Sequence, residues 1–378
     1  MIKIGITGQN GFIGEHLFNT LKQKPNEYKL IIFNKTDFKS AENLEKFVSQ
    51  CDVIVHLAAM NRHPDPEVIY KTNTKLVEKL VSSFEKTQST PHIIFASSIQ
   101  EELDNYYGKS KKESGNLFSN WAKNNNGLFT KLLIPNVYGP FGKSFYNSVV
   151  ATFCHQLTHN EQPKIDVDGN LKLIYVGELV NYIIKNIHID KTSNFKEKTN
   201  TIEIPHTKNI KVSALLKMLE CFKREYFEKG IFPDLDDTFT KNLFNTFVCY
   251  INHSEWFPFF LKKHTDERGS FVETVKLNSG GQVSFSTTVP GITRGNHYHT
   301  RKAERFAVIK GEARIELRRI GTEEVLKFKL DGDFPSFVDM PIWYTHNITN
   351  IGQDELFTIF WINEEYDQND PDTFFEEV

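Results

Sequence analysis

His297, His299, Glu304 and His346 are the side-chain types that hold divalent metals. In GNHYHTRKAE the two histidines flank Tyr298. Side-chain direction repeats every two residues along a strand, so both imidazoles share one face. Glu304 follows five residues after His299, which leaves chain enough to turn and return on a neighbouring strand. His346 lies in MPIWYTHNITN, just past the turn residue Pro341. Three imidazoles and a carboxylate suit zinc, and also iron, manganese or nickel. One such histidine alone would be an ordinary polar residue; the combined spacing marks a metal site.

A second constellation opens the chain. Gly8, Gly11 and Gly14 stand between an apolar stretch and a helical pattern. Glycines so placed permit a tight turn and a close backbone approach to a pyrophosphate, which the first helical residues, Phe12 and Ile13, receive on their N–H groups. The stretch KLIIF ends at Asn34 and Lys35, where NAD-binding units place an acid for the ribose 2′-OH. A cation there favours NADPH, although Lys35 is equally read as a solvated lysine. CDVIVHLAAM has the apolar run of a central parallel strand, and its small residues Leu57, Ala58 and Ala59 leave room for a cofactor. Tyr107 and Lys111 are four apart and share a helix face. A neighbouring cation is expected to lower the phenol pKa from its reference of about 10. A serine from the HIIFASS strand end, Ser97 or Ser98, can hold the same substrate oxygen.

These residues need elements to position them. With 378 residues, two domains are expected. A net charge of -3 gives no general attraction to nucleic acid or to an anionic membrane. No run of about 18 apolar residues is present, so no membrane insertion is expected. Cys51, Cys154, Cys221 and Cys249 are scattered without a CxxC pair and read as reduced thiols of a cytoplasmic protein. Met1 leads straight into an apolar strand, so no signal peptide is expected. Apolar stretches alternate with helical patterns as far as DLDDTFTKNLFNTFVCYI. Beyond Lys263 come short alternating strands separated by Gly turns, the pattern of an all-β barrel. The expected fold is an α/β Rossmann-like doubly wound parallel sheet (residues 1–250) followed by an all-β barrel (258–378).

Family resemblances add to this reading. Gly291, His297, His299, Glu304 and Gly311 match the first cupin motif in full; Pro341, His346 and Asn350 match the second. In the second motif Gly332 stands three residues too far upstream, and Trp343 replaces an internal glycine. Thr7–Gly14, Asp52–Ala59, Ser97-Ser98, YGKSK (107–111) and PNVYGP (135–140) resemble the extended short-chain dehydrogenase/reductase family. That resemblance makes Tyr107 the acid/base, Lys111 its helper, Ser98 the hydroxyl and Asn136 part of a sugar-nucleotide pocket. Leu133 departs from it, standing where many members carry Arg. DERGSFVE (266–273) resembles a segment of cupin-type deoxysugar epimerases, which makes Arg268 and Glu273 substrate-site candidates; an edge-strand ion pair is the plain alternative.

Over its whole length the chain resembles CapF-type bifunctional capsular polysaccharide synthesis enzymes. YNSVVATFC (146–154) and the stretch NDPDTFFEEV (369–378) also carry the match. The resemblance implies a zinc-holding cupin that inverts C3 of a UDP-4-keto-6-deoxy-N-acetylhexosamine. It further implies an NADPH-dependent reductase of the C4 ketone, and a homodimer. His264, Asp266 and Tyr298 are possible acid/base groups. The alternatives are an NAD-retaining dehydratase or epimerase, which Ile99-Gln100 after Ser98 disfavour, and a non-catalytic sugar-binding or dimerisation cupin.

Overall fold

The computed structural model describes residues 1–188, 198–267 and 269–378. Arg268 and most of the expected 190–200 surface loop therefore lie outside the described residues. Packing divides the chain into two compact units.

The first unit comprises Met1–Tyr138, Phe145–Ser148 and Asn170–Ile210. Its elements are β1 (Ile2–Thr7), α1 (Phe12–Lys22), β2 (Tyr28–Ile31), α2 (Ala41–Gln50), β3 (Val53–His56), α3 (Pro66–Thr87), β4 (His92–Ser98), α4 (Tyr106–Asn124), β5 (Leu128–Ile134) and β6 (Asn136–Tyr138). The chain then passes through α5 (Val149–Thr158), which belongs to the second unit, and returns as β7 (Asn170–Tyr175), α6 (Val176–Ile187), β8 (Thr199–Glu203) and β9 (Lys208–Lys211). A six-stranded sheet runs β2-β1-β3-β4-β5-β8, with every pairing parallel. Alternation along each strand supplies two apolar faces. Ile94 and Ala96 pack with Leu17 of α1 and Leu179 of α6, while Ile93 and Phe95 pack with Phe47 of α2, Leu80 of α3 and Phe118 of α4. Both faces are thus covered, which is why β4 is buried from end to end. Between β1 and β3 the strand order reverses, and such a switch point leaves a crevice beyond the carboxyl ends of those strands.

The second unit comprises Gly139–Ser144, Val149–Gly169 and Lys211–Val378. After α7 (Val212–Phe222), α8 (Thr238–Val248) and α9 (His253–Trp256), the chain is all β. Its strands are β10 (Phe259–Phe260), β11 (Lys263–Asp266), β12 (Gly269–Val272), β13 (Gln282–Thr288), β14 (Thr293–Tyr298), β15 (Glu304–Lys310), β16 (Glu312–Arg319), β17 (Val325–Asp331), β18 (Ser336–Met340), β19 (Tyr344–Asn350), β20 (Leu356–Ile362) and β21 (Phe374–Phe375). They form two five-stranded sheets, β10-β18-β15-β20-β13 and β17-β16-β19-β14-β21, with β11-β12 as a separate hairpin. Ala313, Ile315, Leu317 and Ile348 of one sheet share a core with Val308, Val338 and Leu356 of the other. This is the expected cupin-like layering.

The packing boundaries differ from the expected 1–250 and 258–378. The helical residues from Lys211 onward belong with the β sheets, and Arg305 of β15 shows why. Its guanidinium is 1% exposed, is held by both Asp339 oxygens at 2.7 and 2.8 Å, and donates to the Gly230 carbonyl at 2.7 Å. The Phe337 ring lies 3.5 Å from it and the Phe232 ring 4.7 Å. Tyr226 donates its hydroxyl to Asp339 at 2.7 Å. Loss of one partner from such a buried pair leaves an uncompensated charge. Asp339→Ala is therefore expected to cost about 3–5 kcal/mol, read as a lower urea midpoint for the second unit's transition; the double variant Arg305→Met/Asp339→Leu should recover most of it. Equal midpoints for Asp339→Ala and wild type would contradict this role.

Candidate functional sites

At the sheet's switch point the glycines have separate duties. Gly8 adopts φ +80°, and a Cβ there would meet the Ala58 nitrogen at 2.8 Å, so the turn after β1 lies against the Leu57–Ala59 segment after β3. Leu57 donates its N–H to the Thr7 carbonyl at 3.0 Å, which fixes that approach. A Cβ on Gly14 would come within 2.2 Å of the Gly8 carbonyl oxygen, whereas one on Gly11 would meet the same oxygen only at 3.2 Å. Gly11 is the N-cap of α1 and brings no side chain to its first turn, so the N–H groups at Phe12 and Ile13 face a cradle of bare backbone. These residues fit a pyrophosphate. The Phe33 N–H reaches the Gln9 side-chain oxygen at 3.3 Å, which brings the end of β2 to the glycine turn. Asn34 and Lys35 follow, both exposed; the Asn34 N–H is capped by Asp37 at 2.7 Å.

Beyond β4 the two serines separate. The Ser97 hydroxyl is committed to Glu101, whose other oxygen accepts from Lys131 at 3.0 Å. Ser98 instead accepts from the Gln100 N–H at 3.1 Å, which leaves its own O–H as a donor. Gly108 lets α4 approach closely: a Cβ there would lie 2.2 Å from the Gln100 carbonyl oxygen. This close contact seats Tyr107 beside the turn that follows Ser98. Lys111 is buried; its ammonium donates to the Ala96 carbonyl at 2.7 Å and lies 5.7 Å from the Tyr107 ring centre. Burial lowers its pKa to about 8, against an opposing pull from Glu101. Tyr107 differs from the expectation. Burial, then the neighbouring Tyr146 phenol, pushes its pKa up to about 12. Lys111 turns its ammonium to the Ala96 carbonyl, and the phenol holds its proton at neutral pH.

Asn73 was not anticipated as part of this site. From α3 it donates to the Met60 carbonyl and to the Ser110 hydroxyl, both at 3.0 Å, and accepts the Met60 N–H at 2.7 Å. It thereby ties the segment after β3 to the helix that carries Tyr107 and Lys111. A buried Asn on the apolar stripe of α3 was the available signal. Asn136 is exposed at the start of β6, and Leu133 pairs with Ser97 in the sheet.

The second constellation lies between the two sheets of the second unit. His297 and His346 are register partners on β14 and β19, Glu304 opens β15 in the other sheet, and His299 follows β14. One donor atom from each lies within 4.8 Å of all the others. His299 Nε2 and His346 Nε2 approach Glu304 Oε2 at 3.2 and 3.1 Å. The three atoms are buried and lack hydrogen-bond geometry to any partner. His299 Nδ1 donates to the Asp372 carbonyl and His346 Nδ1 to that of Tyr344 at 3.2 Å, which leaves both Nε2 lone pairs directed inward. Orphaned inward donors of this chemistry fit a divalent metal. Burial, then the adjacent His346, lowers His297 to about 4. Burial works against the Glu304 carboxylate and the His299 imidazolium, yet their mutual contact wins: His299 is raised and Glu304 held well below the carboxylate range.

Trp343 explains how the turn before His346 tolerates its missing glycine. The residue adopts φ +63°, donates its N–H to the His299 carbonyl at 2.7 Å and stacks on Tyr298 at 5.7 Å. Tyr298 points away from the histidines beside it, as alternation requires, and lies between Trp343 and Phe374. This position removes it as an acid/base for chemistry at the histidines. His264 and Asp266 stand on the exposed β11-β12 hairpin. Glu273 is exposed and paired with Lys276 at 2.6 Å.

The glycine duties lead to a graded prediction. Gly14→Ala should cost about 1–3 kcal/mol by overpacking and abolish binding of the nicotinamide cofactor. Gly11→Ala should fold normally but bind weakly. Denaturant unfolding and tryptophan quenching by NADPH distinguish them; equal behaviour of the two variants would contradict the assignment.

Residues 4–192 match the NAD dependent epimerase/dehydratase family, and residues 264–374 match the polysaccharide biosynthesis C-terminal domain. A UDP-2-acetamido-2,6-beta-L-arabino-hexul-4-ose reductase from Pseudomonas aeruginosa is 31% identical over 375 residues, 99% of this chain and 98% of the relative. The crystal structure of the capsular polysaccharide assembling protein CapF from Staphylococcus aureus has 31% identity and a TM-score of 0.62, with 100% of both chains covered. The spore coat polysaccharide biosynthesis protein SpsL of Bacillus subtilis is 28% identical over 122 residues, 30% of this chain and 81% of that protein. Among the described residues no helix is long and apolar enough to cross a membrane. The chain belongs to the CapF-type family, in which a nicotinamide-dependent epimerase/dehydratase domain is followed by a polysaccharide biosynthesis C-terminal domain.

Proposed function

We propose that this chain acts twice on a UDP-4-keto-6-deoxy-N-acetylhexosamine: the barrel inverts C3, and the Rossmann-like unit then reduces the C4 ketone with NADPH. The product leads towards UDP-N-acetyl-L-fucosamine and a surface polysaccharide. One observation carries the reading: a single chain holds both a protonated Tyr107 beside Lys111 and a buried His3Glu donor set. The Pseudomonas relative, named for reduction of a UDP-linked acetamido-hexul-4-ose, supports the substrate class.

C3 is α to the C4 ketone, so loss of its proton leaves an enolate with negative charge on the C4 oxygen; return of a proton to the opposite face of C3 restores the ketone and completes the inversion. A metal held by His297, His299, Glu304 and His346 would supply fixed positive charge in the barrel. Arg268 and Glu273 are proposed to hold the nucleotide-sugar there.

For reduction, NADPH supplies the hydride. Gly8, Gly11, Phe12, Ile13 and Gly14 seat the pyrophosphate; Asn34 and Lys35 face the adenosine ribose, and Leu57, Ala58 and Ala59 flank the cofactor. The C4 oxygen gains charge as hydride arrives at carbon. Tyr107 holds a proton for it, Ser98 donates a hydrogen bond to it, and Asn136 lines the sugar pocket. The phenol is protonated at neutral pH and is the donor for the oxyanion that forms beside it. The dehydratase alternative would need a further acid or base near Ser98. The nearest carboxylate along the chain, Glu101, is already engaged by Ser97 and Lys131.

In D2O with this substrate, wild type should oxidise NADPH and incorporate deuterium at C3. Tyr107→Phe should keep C3 labelling while reduction falls by roughly 10²–10⁴-fold. His297→Ala should lose labelling while still binding NADPH. Proton NMR and NADPH absorbance read both halves. Oxidation without C3 labelling in wild type would remove the epimerase half, and neither signal would remove the substrate assignment.

A further inference from the structure

A single short segment reaches every residue from Asn296 to Lys302. Glu376 donates its N–H to the Asn296 carbonyl at 3.1 Å. Phe375 and Phe374 of β21 pair with His297 and Tyr298 of β14. The Asp372 carbonyl accepts from His299 Nδ1. The Asp372 carboxylate then takes three consecutive backbone N–H groups: Thr300 at 3.1 Å, Arg301 at 3.0 Å and Lys302 at 3.1 Å. It also accepts the Thr300 hydroxyl at 2.6 Å. Lys302, 1% exposed, donates its ammonium to the Pro371 carbonyl at 2.9 Å, and Arg301 pairs with Asp370 at 2.8 Å.

The clamped loop, Thr300–Ala303, joins His299 to Glu304. Those two ligand candidates stand at opposite sheets of the barrel, so the loop sets the distance between their donor atoms. Asp372 is 4% exposed and adopts φ +42°, a backbone state that Asp accepts more readily than most residues. A buried carboxylate facing three successive N–H groups is an anion nest, and here the anion is the chain's own. Its side chain fixes the loop, and its carbonyl fixes the tautomer of His299.

We propose that Asp372 is a positioning residue for the metal centre: through one carboxylate and one carbonyl it sets both the His299–Glu304 spacing and the direction of His299 Nε2. The proposal rests on the His3Glu reading of the barrel. Asp372 touches neither metal nor substrate; it acts through His299 and the loop. Loss of a partner that orients a metal ligand from behind typically changes metal affinity by about 10–100-fold.

The test uses the full chain, stripped of metal and titrated with Co2+, whose visible d–d bands report coordination geometry, and with Zn2+ under chelator competition. Wild type, Asp372→Ala and Asp372→Asn are compared, with NADPH binding as the control for an intact first unit. Wild type should bind one equivalent. Asp372→Ala should bind both ions about 10–100-fold more weakly and show altered cobalt bands. Asp372→Asn, which keeps one acceptor oxygen, should lie between them. Wild-type affinity and unaltered bands in both variants would overturn the positioning role, even with a lower melting temperature, because that pattern belongs to a purely structural contact. Failure of Asp372→Ala to fold transfers the decision to Asp372→Asn, whose bands must then move. No binding by wild type would instead overturn the His3Glu reading beneath the proposal.

Discussion

The Glu304 carboxylate is buried between the two sheets of a β barrel, and the second unit is arranged around that charge. An ionised carboxylate without partners is costly in such a place. Imidazoles from β14, its following loop and β19 converge on it, and each imidazole is oriented from behind by a backbone carbonyl. The contact with Glu304 raises the His299 pKa, and the same atoms are the proposed metal ligands. Both sheets must therefore stay in register about Glu304. Arg305, the next residue, anchors the opposite side of its strand to Asp339, which also accepts the Tyr226 hydroxyl.

The first unit resolves a similar conflict between burial and charge in another way. Lys111 is kept in a buried site that disfavours its cation, and Tyr107 in one that disfavours its phenolate. Burial is the first cause of both shifts. The glycine turn, the Leu57–Ala59 segment and the start of α4 meet where they do because Gly8, Gly14 and Gly108 allow backbone to touch backbone. Asn73 then fastens that arrangement through Met60 and Ser110.

Much of this was legible in sequence. The glycine spacing, the central parallel strands, the His-x-His alternation and the short barrel strands all follow from local periodicity. Packing between distant segments was less accessible. The residues from Lys211 to Tyr250 look helical and were grouped with the Rossmann-like domain, whereas packing places them with the β sheets, where the Gly230 carbonyl covers the buried Arg305. Trp343 read as a departure that unsettled the turn; its positive φ preserves the glycine geometry, and the stack on Tyr298 occupies its side chain. The phenol shift of Tyr107 was assigned the wrong sign, because i,i+4 spacing places Lys111 on the same helix face without showing that its ammonium turns to Ala96. Asp372 lies in the 369–378 stretch, and nothing local there reveals a contact with His299, about seventy residues away.

The most direct test of the central claim is metal analysis of the purified full chain, joined to X-ray absorption at the edge of whatever ion is found. The account predicts one divalent ion per chain, with three imidazoles and one carboxylate oxygen; for zinc these shells lie at about 2.0–2.2 Å. The signal should be lost in His346→Ala. A chain that holds no ion after exposure to excess zinc, or one whose ion persists unchanged in His346→Ala, would contradict it.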